Sequence, residues 1–172
     1  MSRSADLRAA PTDAELARAD VVCADPEAFS RNTPSLYADP VAWLAVETAR
    51  RALDQAPDVL DAREDTAVLA VSEYGTLDTM RGIAVRVRAG RVSPLRFAGA
   101  NPGLLAGAVC LQWQLRGPSL TLTMPPELGA ATAEAVAGGW LRQGLAQHVL
   151  LLTHELRGAE HAASCRVLGR RS

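Results

Sequence analysis

Few side chains in this sequence can move a proton or attack a carbon near neutral pH, and they are widely spaced. There are three histidines, His148, His154 and His161, and three cysteines, Cys23, Cys110 and Cys165. His154 follows the apolar run His148 to Thr153 (HVLLLT) and stands beside Glu155. A carboxylate in that place can orient an imidazole that acts as a base. The competing reading is a surface histidine in a polar connection. Glu73, in the polar, glycine-containing segment Ser72 to Thr79, and Glu127, after Pro125-Pro126, are further acid/base candidates. Neither they nor His154 has a partner nucleophile identifiable in the sequence. The cysteines are isolated and odd in number with no CxxC spacing, which speaks against a disulfide framework and a zinc site. Cys110 reads as a small buried hydrophobe inside a helix. No metal or bound cofactor is expected.

A second kind of chemistry is electrostatic. Arg81, Arg86, Arg88, Arg91 and Arg96 follow one another with no acidic residue from Arg81 through Ala106. Such a stretch suits docking of an acidic partner; it equally suits a solvated helix face. Nucleic acid is the weaker partner class, because the formal net charge is -1 and no recognised binding motif is present.

These residues need elements to position them. The central stretch is Gly117 to Glu127: a tight turn, a strand over Ser119 to Thr123, and an elbow at Pro125-Pro126. A helix then runs through Gly139, with small side chains all round, as suits an element closely surrounded on every side. Thr66 to Val71 (TAVLAV) reads as a central strand covered on both faces, and HVLLLT as a second. Asp39-Pro40 reads as a capped helix start. Apolar positions Val41, Leu44, Ala45, Thr48, Ala49 and Ala52 carry that helix to about Gln55. Asn101-Pro102 repeats the signal for a helix that buries Leu104, Leu105, Ala108, Leu111, Gln112 and Leu115 and ends on Gly117 as a C-terminal cap. Asp13 to Ala19 reads as a short helix, Val21 to Ala24 as a weak strand, and Ala162 to Leu168 as a final strand. Met1 to Thr12 is expected to be flexible and Arg170 to Ser172 a polar tail.

Several of these segments, taken in order, resemble the β-ketoacyl synthase family. They are Ser72-Glu73-Tyr74-Gly75-Thr76 after a strand, Val92-Ser93-Pro94-Leu95-Arg96-Phe97, Asn101-Pro102-Gly103 and Ala106-Gly107. Gly117-Pro118-Ser119-Leu120-Thr121 and Gly144-Leu145-Ala146 complete the set, and the resemblance runs from Leu36 to Thr153. It implies a thiolase-like α/β half fold, a mixed sheet flanked by helices in a layered α/β/α arrangement. In the family a cysteine at the elbow attacks the acyl thioester while its backbone N–H helps hold the oxyanion. Counted from Gly117-Pro118-Ser119, that position falls on Pro126, which supplies neither thiol nor N–H. Loss of one such donor alone costs an enzyme about 3 kcal/mol of transition-state stabilisation. The family's catalytic histidines come from a second, related half, and this sequence stops near the end of the first. An active condensing enzyme is therefore not expected.

The 172 residues suit one domain over 1–172, and 48% apolar content with little net charge is ordinary for a globular protein. All positive side chains are arginine, which together with abundant alanine reads as a GC-rich bacterial coding bias. The absence of a signal peptide or a bilayer-length apolar run makes the cytoplasm the default and a membrane partner unexpected. On the resemblance, the protein is a nucleophile-less, non-elongating partner in polyketide or fatty-acid biosynthesis, akin to a chain-length factor or scaffold. Its partners would be a second copy or a ketosynthase, and an acyl carrier protein whose phosphopantetheine arm carries the substrate. The rival is a stand-alone isomerase, dehydratase or cyclase acting on a carrier-bound chain through His154, Glu155, Glu127 or Glu73. A third reading is a self-assembling remnant with a structural role only.

Overall fold

A computed structural model describes residues 13–33, 36–91 and 93–170. The expectations for Met1 to Thr12, Val92 and Arg171-Ser172 lie outside the described residues. Five strands form one mixed sheet: β1 (Asp13–Cys23), β2 (Thr66–Ser72), β3 (Ser119–Leu122), β4 (His148–Arg157) and β5 (Glu160–Arg170), in spatial order β1-β5-β4-β2-β3. The β1/β5 and β5/β4 pairs are antiparallel, whereas β4/β2 and β2/β3 are parallel.

β2 is buried along its whole length. Its apolar run has a neighbour on each side and helices on both faces, which is why no polar alternation appears in it. On one face, α1 (Pro40–Leu53) and α4 (Leu104–Trp113) pack with Val68, Ala70, Leu150, Leu152, Cys165 and Val167. On the other, α5 (Pro126–Gln143) brings Ala133, Ala137 and Leu141 against Ala67, Leu69, Val71, Val149 and Leu151. The layers are thus helix, sheet, helix. Two short helices, α2 (Leu77–Val87) and α3 (Pro94–Gly99), fill the crossover between β2 and α4. Among the described residues, no helix is long and apolar enough to cross a membrane.

α1 starts at the expected cap, with the Asp39 carboxylate accepting from the Val41 N–H at 2.9 Å, and all six expected core positions are buried. Other elements depart from their sequence reading. Asp13 to Ala19 is not a helix but the start of β1. Ala17, Ala19 and Val21 face the core while Arg18, Asp20 and Val22 face outward, a period of two. An extended partner in β5 outweighs the helix propensity of the Ala, Glu, Leu and Arg that compose the segment. Leu16 is an extra residue there, a bulge between Glu15 and Ala17. The weak strand expected at Val21 to Ala24 is the end of β1 and stops at Cys23. β4 and β5 are longer than expected because they form a hairpin turning at Gly158, whose φ is 65°. The long strand β4 places His154 inside the sheet rather than past its end.

α4 begins a turn later than its proline signal. Asn101 Oδ1 accepts from the Gly103 N–H at 2.9 Å, forming a local turn, and the helix opens at Leu104. Leu105, Ala106, Ala108 and Val109 are buried, but Leu111 and Gln112 are exposed. The left-handed C-cap is Gln114, with φ of 55°, not Gly117. Gly117 is small for another reason: a Cβ there would stand 2.6 Å from the Thr66 carbonyl.

The small-residue helix α5 is not surrounded on every side within the described residues. Gly129, Ala133, Ala137, Gly138 and Leu141 meet the sheet or are covered, while Leu128, Ala131 and Ala135 face outward. The sheet beyond α5 is polar instead. Arg166 bonds Glu15 and Glu134, each at 2.7 Å, and Arg18 bonds Glu15 at 2.8 Å.

Gly117→Ala should lower stability by about 2 kcal/mol, because the added methyl meets backbone that cannot yield. Urea denaturation checks this: the midpoint falls while the slope of the transition stays unchanged.

Candidate functional site

The crossover leaving β2 runs over the α1/α4 face, and the one leaving β3 runs through α5 on the opposite face. Adjacent strands whose connections part in this way leave a crevice at their carboxyl ends, where open α/β sheets bind ligands. Two segments border it: Ser72 to Thr76, and the elbow Thr123 to Pro126.

At the elbow, Pro125 is extended (φ −53°, ψ 134°) and Pro126 is the first residue of α5. Proline is well tolerated there, since its missing N–H would have no intrahelical partner. The Leu128 and Gly129 N–H groups both turn back to the Pro125 carbonyl at 3.0 Å. Gly129 allows close docking on β2, as a Cβ there would come within 2.7 Å of Val71 Cγ1. The scaffold of a nucleophile elbow is therefore present, with neither a thiol nor an N–H at its apex. Glu127 is exposed at the mouth of the helix, and Glu73 is exposed in the loop after β2.

His154 is neither at the surface nor oriented by Glu155. Its relative exposure is 2%, and it faces α1, whereas Glu155 lies on the opposite face of β4 and pairs with Arg157 at 2.5 Å. The four acid/base candidates are therefore not brought together. His154 has partners that the sequence did not single out. Its Nδ1 lies 2.8 Å from Ser72 Oγ, on the residue directly across the parallel pair, and its Nε2 lies 3.0 Å from His161 Nδ1. The two imidazoles stack with centroids 5.2 Å apart and planes 21° from parallel. Ser72 Oγ also accepts from the Gly75 N–H at 2.9 Å, which leaves its own proton for His154 Nδ1. His154 then donates from Nε2 to His161 Nδ1, and His161 carries its proton on Nε2. The signal available beforehand was parity: residues 154 and 161, astride a two-residue turn at 158–159, fall diagonally on one sheet face.

Burial first, and His161 second, pull the His154 imidazole from its ordinary 6.5 down to about 4. Burial alone lowers His148, at the opposite end of β4. Burial pushes the Cys110 thiol up to about 11, in keeping with a packing role.

The five arginines do not form one patch. Arg81 reaches Asp78 at 3.4 Å. Arg86 and Arg91 border a shallow cavity of about 520 Å3 together with Gly90 and Ser93. Arg88 is exposed at the end of α2. Arg96 lies over the Tyr37 ring at 4.6 Å and donates to Tyr37 Oη at 3.2 Å. It borders a separate cleft of about 430 Å3 with Arg31 and Trp43.

The family model described as "Beta-ketoacyl synthase, N-terminal domain" matches residues 3–125, and the chain belongs to that family. No curated protein matches it. Among solved structures, the fold is similar to a chain of a type II PKS acyl-carrier protein in complex with its ketosynthase bound to the hexaketide, at TM-score 0.70 and 11% identity, covering 94% of this chain and 63% of that one. It is also similar to the ishigamide ketosynthase/chain length factor, at TM-score 0.65 and 20% identity, covering 85% and 48%. A ketosynthase in complex with its chain length factor from Xenorhabdus doucetiae gives TM-score 0.64 and 13% identity, covering 94% and 80%. The chain thus has the thiolase-like ketosynthase fold and spans less than two thirds of the length of the first two of these.

A histidine whose folded value is lowered binds its proton less readily in the folded state. The stability it confers is complete above its ordinary 6.5 and is lost as pH falls toward about 4. Equilibrium unfolding should therefore show up to about 3 kcal/mol lost between those two values. His154→Asn should flatten that part of the profile. Glu15 and Glu47, held at about 2 by arginines, act in a separate, more acidic range.

Proposed function

We propose that this member of the β-ketoacyl synthase family is a non-elongating partner in polyketide or fatty-acid biosynthesis in the cytoplasm, akin to a chain-length factor or scaffold. The observation that carries the reading is the elbow: β3, Pro125-Pro126 and α5 retain the framework, while Pro126 holds the place of the nucleophile. Acyl transfer through that position has no thiolate and one fewer oxyanion donor. The three histidines give it no base: His148 lies at the amino end of β4, and His154 and His161 bond each other on the α1 face.

Association is part of the proposal. β3 is an edge strand with β2 as its one neighbour in the sheet, and α5 presents Leu128, Ala131 and Ala135 beside it. An open edge next to small apolar side chains favours a second copy or a ketosynthase. The relatives solved as ketosynthase and chain length factor pairs support the heterodimer. For an acyl carrier protein with its phosphopantetheine arm, Arg86, Arg88 and Arg91 offer exposed guanidinium groups along one connected segment. Arg81 and Arg96 have other engagements. A second reading, an acid/base enzyme acting on a carrier-bound chain, is favoured by the Ser72–His154–His161 hydrogen-bond chain.

Native mass spectrometry of the protein, alone and mixed with a ketosynthase and acyl carrier protein from its own pathway, separates these readings. A stable complex with the ketosynthase is the expected result. A species that ignores the ketosynthase yet changes the mass of a loaded carrier would replace the partner role with the enzyme. Pro126→Cys should remain unable to condense acyl chains on its own; condensation by that variant would refute the proposed architecture of the elbow.

A further inference from the structure

Next to the crevice, on the α1 side, a separate cavity of about 260 Å3 lies between the loop after β2, the amino end of α2 and the β4–β5 turn. His161 lines it. One edge of the His161 ring is tied to His154, which is itself held by Ser72, so the imidazole cannot turn to satisfy itself elsewhere. Its Nε2–H remains for the cavity. Two further polar groups border the space, Arg81 and Asp78, which meet each other through one contact of 3.4 Å. That long single contact leaves other guanidinium N–H groups and the second carboxylate oxygen of Asp78 unengaged by it. Val41, Leu77 and Leu156 supply apolar wall. One full positive charge faces one full negative charge, so the lining is balanced and contains both donors and an acceptor.

We propose that this cavity is a binding site for a small uncharged amide, whose carbonyl oxygen accepts from His161 and whose N–H donates to Asp78. A carboxylate of the same shape meets Asp78 with like charge and no N–H to offer it. An ammonium meets Arg81 with like charge and has no acceptor for His161. Neither gains a compensating partner in a lining with no net charge. The tethering of His161 serves the site by fixing the donor before the ligand arrives, which removes part of the ordering cost of binding. The site is built by this chain alone and does not depend on the partner role proposed above.

The test uses the whole chain, with histidine ring signals followed by NMR during titration with butyramide, butyrate or butylammonium. Saturable movement of the His161 signals with butyramide, and much weaker response to the two charged analogues, is the expected result. Asp78→Ala, a change on an exposed side chain, should weaken butyramide binding by about fivefold through loss of one hydrogen bond. His161→Leu should abolish saturation. Binding of butyrate at least as tight as butyramide, an unmoved His161, or unchanged affinity in both variants would each overturn the proposal. Native-state dispersion of the spectra confirms that each variant is folded when it is read.

Discussion

The carboxyl end of the sheet depends on one buried carboxylate. Asp39 has no exposed surface and closes two helices at once: Oδ1 accepts from the Val41 N–H of α1 at 2.9 Å, and Oδ2 from the Thr79 N–H of α2 at 3.0 Å. Both helices direct the positive ends of their dipoles at it, which offsets the cost of removing the charge from water. Burial nevertheless raises its pKa, against the lowering by these two N–H groups. The bond matters because α2 has little else to hold it, with Thr79 its one buried residue. The position of Asp78 and Leu77, and so the wall of the cavity beside His161, follows from a cap rather than from an apolar core.

The histidine pair illustrates the same economy. A buried imidazole needs partners for both nitrogens, and His154 finds them on two neighbouring strands, β2 and β5. Within a low-dielectric core such bonds are strong when complete and costly when broken. The Gly75 N–H completes the series by occupying Ser72 Oγ, so the loop after β2 is fastened to the same chain of hydrogen bonds. The rigidity of the crevice on this side is thus polar in origin, although apolar layers surround it.

What could be read in the sequence had local causes. α1 announces itself through Asp39-Pro40 and a helical apolar stripe, and β2 through an uninterrupted apolar run. The proline elbow, too, is a matter of residue type and order. What could not be read depended on distant pairing. β1 has helical composition and becomes a strand because β5 runs beside it. His154 appears to adjoin Glu155 in one dimension, but alternation sends them to opposite faces and brings in Ser72, 82 positions away. The arginine stretch reads as one basic surface, yet a turn and two helix axes divide it among three environments.

The bulge at Leu16 bears on how far assembly can proceed. A five-stranded sheet has two margins, and material could in principle add at both, giving open-ended growth. On the β1 side the extra residue breaks the regular spacing of backbone groups, and Glu15, Arg18 and Asp20 surround the break. Incoming strands meet irregular geometry and charge there, while the β3 margin stays regular and short. Recruitment is thereby one-sided: the first strand to join uses the only receptive margin, and the resulting pair has nothing left with which to propagate.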